Sequence, residues 1–307
     1  MNKIWFDTDI GVDDAVALLC AYQLDNIEVV GISAIAGNCD IDNVFNNARN
    51  VTYLAKKDVK VYKGASKPLY KELKPATIVH GNNGLGDVVI PTSPAPIEEK
   101  CAIDALYEKA KELNGELKVV AVGPLTNIAL TIRKYPDFKD YCKEIYIMGG
   151  AGIGGNASPC AEFNIYSDPQ AASEVFESGI FIHVFGLDVT LQANAYSSEI
   201  NEIGSYGNPA SDLLRDSLKL AVNLYKFLGI DGTCLHDACP ILYLAHPEWF
   251  KGEQCGIFVE PEGKYTTGET VCDLYSNAKY EDRHCKLYTF VDREAFVNCV
   301  KECYKKY

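Results

Sequence analysis

Apolar runs of strand length alternate with amphipathic runs of helix length along much of this chain. The segments "KIWFDT" (3–8) and "LKVVAVG" (117–123) are strand candidates, and each is followed by apolar residues at helical spacing. A later helix carries its own boundary signals, with Asp168 at the N-cap, Pro169 at the first helical position and Gly179 just beyond the end. This alternation predicts a mostly parallel sheet covered by helices.

The predicted fold is therefore an α/β fold, an open and mostly parallel sheet with helices on both faces. We expect a single domain over residues 1–307, because no Pro/Ser-rich linker or change of composition divides the sequence. Residues 190–250 are more helical and less regular, and we expect them to cover an edge of the sheet. Ligands of such sheets bind beyond the carboxyl ends of the strands, so polar residues that follow different strands should share one cleft.

Charge and composition exclude several classes of partner. The net charge is −13 and no cluster of Lys or Arg forms a basic face, so we expect no nucleic-acid partner. No apolar stretch reaches the roughly 18 residues that span a bilayer, and the opening "MNKIWFDTD" is typical of a strand and not of a signal peptide. We therefore expect a cytoplasmic protein without a membrane partner. Its 12 cysteines are scattered, contain no C-x-x-C pair, and are expected to be free thiols.

The segment "DTDIGVDD" places four aspartates, Asp7, Asp9, Asp13 and Asp14, within eight positions between two apolar runs. Capping of the following helix accounts for one or two of them. An EF-hand is excluded, because the acidic residue required at the last loop position falls on Leu18. A phosphotransferase-type aspartate nucleophile remains an alternative, although its partner lysine and second acidic motif were not found. Like charges this close repel one another, which indicates a cation among them.

A hard divalent cation accounts best for the aspartate cluster. Asp9 follows a strand and Asp14 falls in the first turn of the next helix, so their carboxylates can converge on one ion. Calcium accepts several oxygen ligands in flexible geometry and keeps sites for water. The sequence thus predicts Ca²⁺ as the cofactor.

The same segment resembles the N-terminal signature of the inosine-uridine preferring nucleoside hydrolases, the nucleoside N-ribohydrolases. The resemblance extends over about residues 3–300. Six further motifs occur in that family's order: "AIAGN" (34–38), "HGNNGLGD" (80–87), "VGPLTNIA" (122–129), "MGG" with "GNASPCAEFNIYSDPQAA" (148–150, 155–172), "GLDVT" (186–190) and "LHD" (235–237). One such motif is weak evidence, whereas seven in order are strong evidence.

The resemblance implies calcium-dependent hydrolysis of the N-glycosidic bond of small ribonucleosides, giving ribose and free base for nucleoside salvage. It implies that Asp9 is the general base and a calcium ligand, and that Asp14, Asp237 and the backbone carbonyl of Thr126 complete the protein ligands. His236 resembles the residue that protonates the leaving base. The resemblance also implies a homodimer or homotetramer.

A further set of residues resembles those that bind the substrate. These are Asp13 and Asn38 at the 2′ side of the ribose, Asn156, Glu162 and Asn164 at the 3′ and 5′ side, and His80 near the base or in a structural turn. The reaction passes through an oxocarbenium-like cation, which a ring of carboxylates stabilises. Two alternatives remain open: a catalytically weak calcium-dependent nucleoside-binding protein, and a metal-dependent phosphohydrolase.

The sequence gives fewer indications of the preferred nucleobase than of the reaction. The segment "LAVNLYKFLG" (220–229) precedes "LHD" and offers Tyr225 and Phe227 as walls that stack on the base, or equally as core residues. Trp5 and Trp249 lie elsewhere in the sequence, and no Trp replaces His236. These features favour an inosine/uridine or pyrimidine preference over strict purine specificity.

Overall fold

The computed structural model describes residues 1–274 and 283–307. Its strands are Asn2–Thr8 (β1), Ile27–Ala34 (β2), Val61–Lys63 (β3), Leu117–Ala121 (β4), Glu144–Met148 (β5), Phe181–Phe185 (β6), Asn194–Ala195 (β7), Thr233–Cys234 (β8), Phe250–Val259 (β9), Thr270–Asp273 (β10) and Cys285–Val291 (β11). Within these residues the strands form one nine-stranded sheet, in the order β10-β9-β11-β6-β5-β4-β1-β2-β3, and one small sheet of β7 and β8.

The α-helices connect and cover the strands. They are Val12–Ala21 (α1), Ile41–Leu54 (α2), Thr77–His80 (α3), Ala102–Leu113 (α4), Thr126–Lys134 (α5), Phe138–Tyr141 (α6), Phe163–Ser167 (α7), Pro169–Phe176 (α8), Leu187–Thr190 (α9), Ser197–Gly204 (α10), Pro209–Ser217 (α11), Lys219–Phe227 (α12), Ala238–Ala245 (α13) and Arg293–Lys305 (α14). In the ranges that the structure describes, no helix combines the length and the apolar character needed to cross a membrane.

Successive side chains of β1 point to opposite faces of the sheet and into two separate cores. Ile4 and Phe6 pack into the core formed with α1, α13 and α14. Trp5 packs into the core formed with α4, α5 and α8. Because β1 is buried on both faces, its sequence is a continuous apolar run, as expected for a central parallel strand.

The structure confirms the open, mostly parallel α/β sheet with helices on both faces. Strands β1 to β6 pair in parallel, and β9 alone runs antiparallel to its neighbours, β10 and β11, in the described part of this sheet. The expectation that residues 190–250 cover an edge of the sheet is wrong. Helices α11 and α13 pack on α1, and α13 also packs on the central strand β5, so this region covers a face.

Candidate active site

The carboxyl ends of several parallel strands meet around a cavity of about 470 Å³. Ligand sites of open α/β sheets form at this edge because the loops after the strands converge there. The polar residues that line the cavity are Asp13, Asn38, His80, Asn156, Glu162, Asn164, Tyr225, Thr233, Cys234, His236 and Asp237. All six residues that the resemblance placed around the substrate are among them, together with His236 and Asp237, so residues up to 224 positions apart in the chain share one cleft.

Asp9 and Asp14 are fully buried beside the cavity, and both bind Asn38, which lines it. Asp9 Oδ2 accepts a hydrogen bond from the backbone N–H of Asn38 at 2.7 Å. Asp14 Oδ2 accepts from the Asn38 side-chain amide at 3.2 Å and from the backbone N–H of Gly11 at 2.8 Å, and its Oδ1 accepts from Thr8 at 2.6 Å. The tip of β1, the first turn of α1 and the loop after β2 are thereby fixed to one another.

The carboxylates of Asp9, Asp13, Asp14 and Asp237 lie close together: the charge of Asp14 raises the pKa of Asp9 and of Asp13, and the charges of the other three raise that of Asp237. Burial is the main cause for each of them: the pKa of Asp13 rises to about 7, and those of Asp9 and Asp237 rise well above the usual range. In the part of the chain that the structure describes, no Lys or Arg lines the cavity or forms an ion pair with any of the four. Buried carboxylates without a cationic partner are costly, so this arrangement favours a bound cation.

Asp7, the remaining member of the N-terminal cluster, has a different environment. Its Oδ1 accepts hydrogen bonds from Ser33 and, at 2.8 Å, from the side-chain amide of Asn127. Burial raises the pKa of Asp7 to about 6. Asp7 does not line the cavity, and its hydrogen bonds connect β1, β2 and α5 beneath it.

The donor set of the cavity fits a hard metal ion. Asp13, Asp14 and Asp237 each offer a carboxylate oxygen, and these three atoms lie within 4.8 Å of one another. Asp9 stands outside this close triplet, but its Oδ1 is buried and has no hydrogen-bond partner among residues 1–274 and 283–307. Carboxylate oxygens are the ligands that Ca²⁺ and Mg²⁺ prefer. Buried polar atoms normally have a hydrogen-bond partner, so the unpartnered Asp9 Oδ1 beside these carboxylates is suited to bind a cation.

Thr126, whose carbonyl the resemblance implies as a calcium ligand, begins α5. It is buried without lining the cavity, as are Asp9 and Asp14, and its side chain donates its hydroxyl hydrogen to Asp168 at 2.7 Å. Val122 directly follows β4 and lines the cavity, but its carbonyl oxygen accepts from the Asn164 side chain at 3.0 Å. The assignment of the Thr126 carbonyl therefore stays a prediction.

Two glycines hold the Asp9 carboxylate between them. A Cβ atom added at Gly37 would lie 2.2 Å from Asp9 Oδ2, and one added at Gly123 would lie 2.8 Å from Asp9 Oδ1. Neither glycine has a backbone conformation that L-residues avoid, so the close approach alone requires glycine there. The loops after β2 and β4 can thus contact the carboxylate directly.

Replacing Gly37 with alanine should displace Asp9 and lower activity at least tenfold, because a misplacement of about 1 Å at a reacting group costs up to about 10² in rate. The overpacking should also lower stability by about 1–3 kcal/mol. Turnover measured across a titration of divalent cation, together with thermal unfolding, would test both. Wild-type kinetics for G37A would show that Asp9 is free to move without consequence.

Glu162 and Asn164 form the wall opposite the aspartates. Glu162 Oε2 accepts hydrogen bonds from the backbone N–H groups of Gly150 at 3.0 Å and Asn164 at 2.9 Å, and burial raises the pKa of this carboxyl to about 7. The Asn164 amide also donates to the Met148 carbonyl at 3.0 Å. Both side chains are therefore locked to the strand ends and leave little freedom for rearrangement.

His80 ends the short helix α3 and is held by the backbone of α1. Its Nδ1 accepts from the N–H of Val12 at 3.1 Å, so in the neutral ring the proton is on Nε2. Burial and the neighbouring His236 lower the pKa of His80 to about 3. His80 is thus a neutral hydrogen-bond donor at the cavity wall at pH 7.

His236 is hydrogen-bonded at both ring nitrogens. Nδ1 lies 2.8 Å from the hydroxyl oxygen of Thr190, and Nε2 lies 3.3 Å from the hydroxyl oxygen of Tyr225. Burial lowers the pKa of His236 to about 4, so the ring is neutral at pH 7 when the cavity is empty. Tyr225, one of the two aromatic candidates, lines the cavity; Phe227 is 87% exposed and does not. Trp5 and Trp249 do not line it either.

The rest of the cavity is apolar. Its aliphatic lining residues near α3 and α12 are Val12, Ala76, Ile78, Val79, Ala221, Leu224 and Leu228. An apolar wall with few hydrogen-bonding groups suits a flat heterocycle, whereas the acidic and amide groups at the other end suit a polyol.

A family model described as inosine-uridine preferring nucleoside hydrolase matches residues 4–298. Two curated relatives are similar over nearly their whole length. Both are named pyrimidine-specific ribonucleoside hydrolase RihA: one from Klebsiella pneumoniae is 39% identical, covering 97% of each chain, and one from Shewanella woodyi is 36% identical, covering 100% of this chain and 99% of the relative.

Among solved structures, a purine-preferring ribonucleoside hydrolase from Gardnerella vaginalis superimposes with a TM-score of 0.93 at 32% identity. The match covers 99% of this chain and 100% of that one. The similarity therefore includes the backbone that carries every cavity residue described above, although relatives of opposite base preference share it.

Proposed function

The chain belongs to the inosine-uridine preferring nucleoside hydrolase family and is a ribonucleoside N-ribohydrolase, and from this premise we propose that it is calcium-dependent and prefers pyrimidine ribonucleosides. The observation that carries the metal proposal is the set of four buried aspartates with no cationic partner in the described residues. Their oxygens are hard ligands, and Ca²⁺ tolerates the irregular, oxygen-rich arrangement better than Mg²⁺ does.

We assign the ion to Asp9, Asp14, Asp237 and the backbone carbonyl of Thr126, as the family resemblance implies; Asp14 and Asp237 belong to the close triplet of carboxylates. When bound, Ca²⁺ would lower the pKa of a water molecule and bind ribose hydroxyls. Asp13, the remaining member of the close triplet, lines the cavity and is left to accept a hydrogen bond from the 2′ side of the ribose.

Asp9 is the general base of the proposed reaction. Its Oδ1 has no hydrogen-bond partner among the described residues, so this oxygen is available to accept a proton from water. Positive charge develops on the ribosyl ring as the C1′–N bond breaks, and it is discharged when water adds to C1′ and loses its proton to Asp9. The carboxylates of Asp13 and Glu162 stabilise that charge from fixed positions.

His236 is the group that we propose delivers a proton to the leaving base. His236 and Tyr225 both line the cavity, and Nε2 lies 3.3 Å from the Tyr225 hydroxyl, near the apolar wall where we expect the base to bind. The leaving nitrogen gains basicity as the C1′–N bond breaks, so proton transfer from a group positioned there assists departure. His80 Nε2–H is a second donor on the same side.

The pyrimidine preference rests on the two RihA relatives, which are more similar in sequence than the purine-preferring structural neighbour. The homodimer or homotetramer rests on the family resemblance alone, and light scattering after size-exclusion chromatography would test it.

Ribose release from uridine, cytidine, inosine, adenosine and guanosine, each with and without EDTA, tests the proposal. We expect kcat/KM for uridine and cytidine to exceed that for adenosine and guanosine about tenfold or more, a ratio within reach of pocket contacts. EDTA should abolish release, and Ca²⁺ should restore it better than Mg²⁺.

Different outcomes point to different errors in the proposal. Activity that survives exhaustive chelation would contradict the metal assignment. Purines ranked first would contradict the base preference alone. The folded, calcium-loaded protein releasing ribose from none of the five would favour a nucleoside-binding role, and phosphate release from phosphate esters would favour the phosphohydrolase.

A further inference from the structure

Thr190 is a fully buried residue whose hydroxyl oxygen contacts His236 Nδ1 at 2.8 Å. It does not line the cavity, so its hydroxyl is placed to act through His236. It ends the short helix α9, which directly follows β6. The contact therefore connects the central sheet with the proposed proton donor.

The backbone around Thr190 is anchored on both sides. Its N–H donates to the carbonyl of Gly186 at 3.0 Å, and the N–H of Leu187 donates to the carbonyl of Gly150 at 2.9 Å, at the end of β5. On the other side the N–H of Leu235, the residue before His236, donates to the carbonyl of Ala193 at 3.0 Å. The β7–β8 pair reinforces this connection. Thr190 and His236 are thus held in a fixed relation by the main chain.

Thr190 and Tyr225, the two hydrogen-bond partners of the His236 ring, differ in how firmly they are held. Tyr225 lies on α12, of whose residues only Ala221 is buried. Its hydroxyl is 3.3 Å from Nε2, longer than the 2.8 Å between Thr190 and Nδ1. The orientation of the ring is therefore set from the Thr190 side.

We propose, on the basis of the proposed function, that Thr190 is a positioning residue: its hydroxyl accepts the Nδ1–H of His236 and directs Nε2 at the leaving base. A neutral imidazole has one N–H and one acceptor nitrogen, so an acceptor at Nδ1 fixes the tautomer. With Nδ1–H on Thr190, Nε2 is the only ring nitrogen that exchanges protons with the cavity.

The proton balance of the step is closed. The neutral ring, with its proton on Nδ1, first takes up a proton from solvent at Nε2. The C1′–N bond then breaks, the base nitrogen keeps the electron pair, and it takes this Nε2 proton. His236 is left neutral, with its remaining proton on Nδ1 donated to Thr190. Water adds to C1′ and its proton goes to Asp9, and exchange with solvent resets both groups.

The test compares Thr190→Val with wild type on two substrates of different leaving-group ability. Valine keeps the shape of threonine and removes the hydroxyl. On uridine, whose base leaves poorly, we expect kcat to fall by about 10- to 100-fold, within the range of general-acid contributions. On p-nitrophenyl β-ribofuranoside, whose leaving group needs no proton, we expect the rate to stay within about twofold of wild type.

Four further variants make the outcome decisive. T190S keeps the hydroxyl and should restore uridine hydrolysis, and T190A replaces T190V if valine prevents folding. T131V removes another buried threonine hydroxyl, one that bonds only to a helical carbonyl in the described structure, and should leave the ratio of the two rates unchanged. H236A should show the same selective loss as T190V.

Equal losses on both substrates, or no loss on either, for T190V would overturn the positioning role. If H236A loses uridine activity selectively and T190V does not, the proposed function stands and the role of Thr190 falls. If H236A hydrolyses uridine normally, the proton-donor assignment fails, and the role of Thr190 fails with it.

Discussion

Replacing Asp9 with asparagine is expected to lower kcat for ribose release by about 10²–10⁴-fold while the protein stays folded. Asparagine has nearly the shape of aspartate and can still accept the hydrogen bond from the N–H of Asn38. It cannot take a proton from water. Its neutral side chain also removes one charge from a buried acidic cluster, so we expect no loss of stability in the metal-free protein.

Because Asp9 is proposed both as base and as ligand, D9N needs a measurement that separates the two roles. Rates are measured across a calcium titration, and the rate at saturation reports the loss of the base. Asp25→Asn is a matched control, since the Asp25 side chain is fully exposed. A D9N enzyme that keeps more than about a tenth of wild-type kcat at saturating calcium would contradict the assignment of Asp9 as base.

The stabilisation that calcium adds is expected to increase from pH 5 to pH 8. In the metal-free fold the pKa of Asp13 is raised to about 7, against 3.8 for the ordinary group, so the folded state binds a proton that the unfolded state has lost. Metal-free stability should therefore fall as pH rises through this window, by up to about 1.4 kcal/mol per pH unit for each such proton. Calcium displaces these protons and removes the loss.

Thermal unfolding with calcium and with EDTA, at pH 5, 6, 7 and 8, directly gives the stabilisation by calcium at each pH. Other groups act equally in both series: Glu162 has its pKa raised to about 7, and His80 and His236 have theirs lowered to about 3 and 4, so their effects largely cancel. Asp14→Asn should flatten the difference. A calcium effect independent of pH would show that the ion does not bind at these carboxylates.

Sequence patterning predicted the fold well where contacts are local. Strands β1 and β4 were each marked by an apolar run followed by apolar residues at helical spacing, and Asp168 caps α8 by accepting from the N–H of Ala171 as expected. Strands β9 to β11 were not predicted. They have no intervening helical pattern, and β11 pairs with β6, about a hundred residues earlier in the chain.

The sequence predicted which candidate residues lie around one cavity, and it predicted less well how their backbone and side chains are placed there. The motifs identified the lining residues because the carboxyl ends of parallel strands converge. They did not indicate that Val122 lines the cavity as well, because that depends on which part of a turning backbone faces it. The role of Thr190 was also missed, because its partner lies 46 positions away.

Among the residues that the structure describes, no Lys or Arg lines the cavity. The cavity therefore selects against ligands that carry a negative charge. Even with one dication bound, the four aspartates and Glu162 leave the ribose end negative. A 5′-phosphate would bring more negative charge into a poorly solvated space, at a cost that no side chain there offsets. Nucleotides would thus be excluded by repulsion alone, and the enzyme would act only after a phosphate-removing reaction has supplied its substrate.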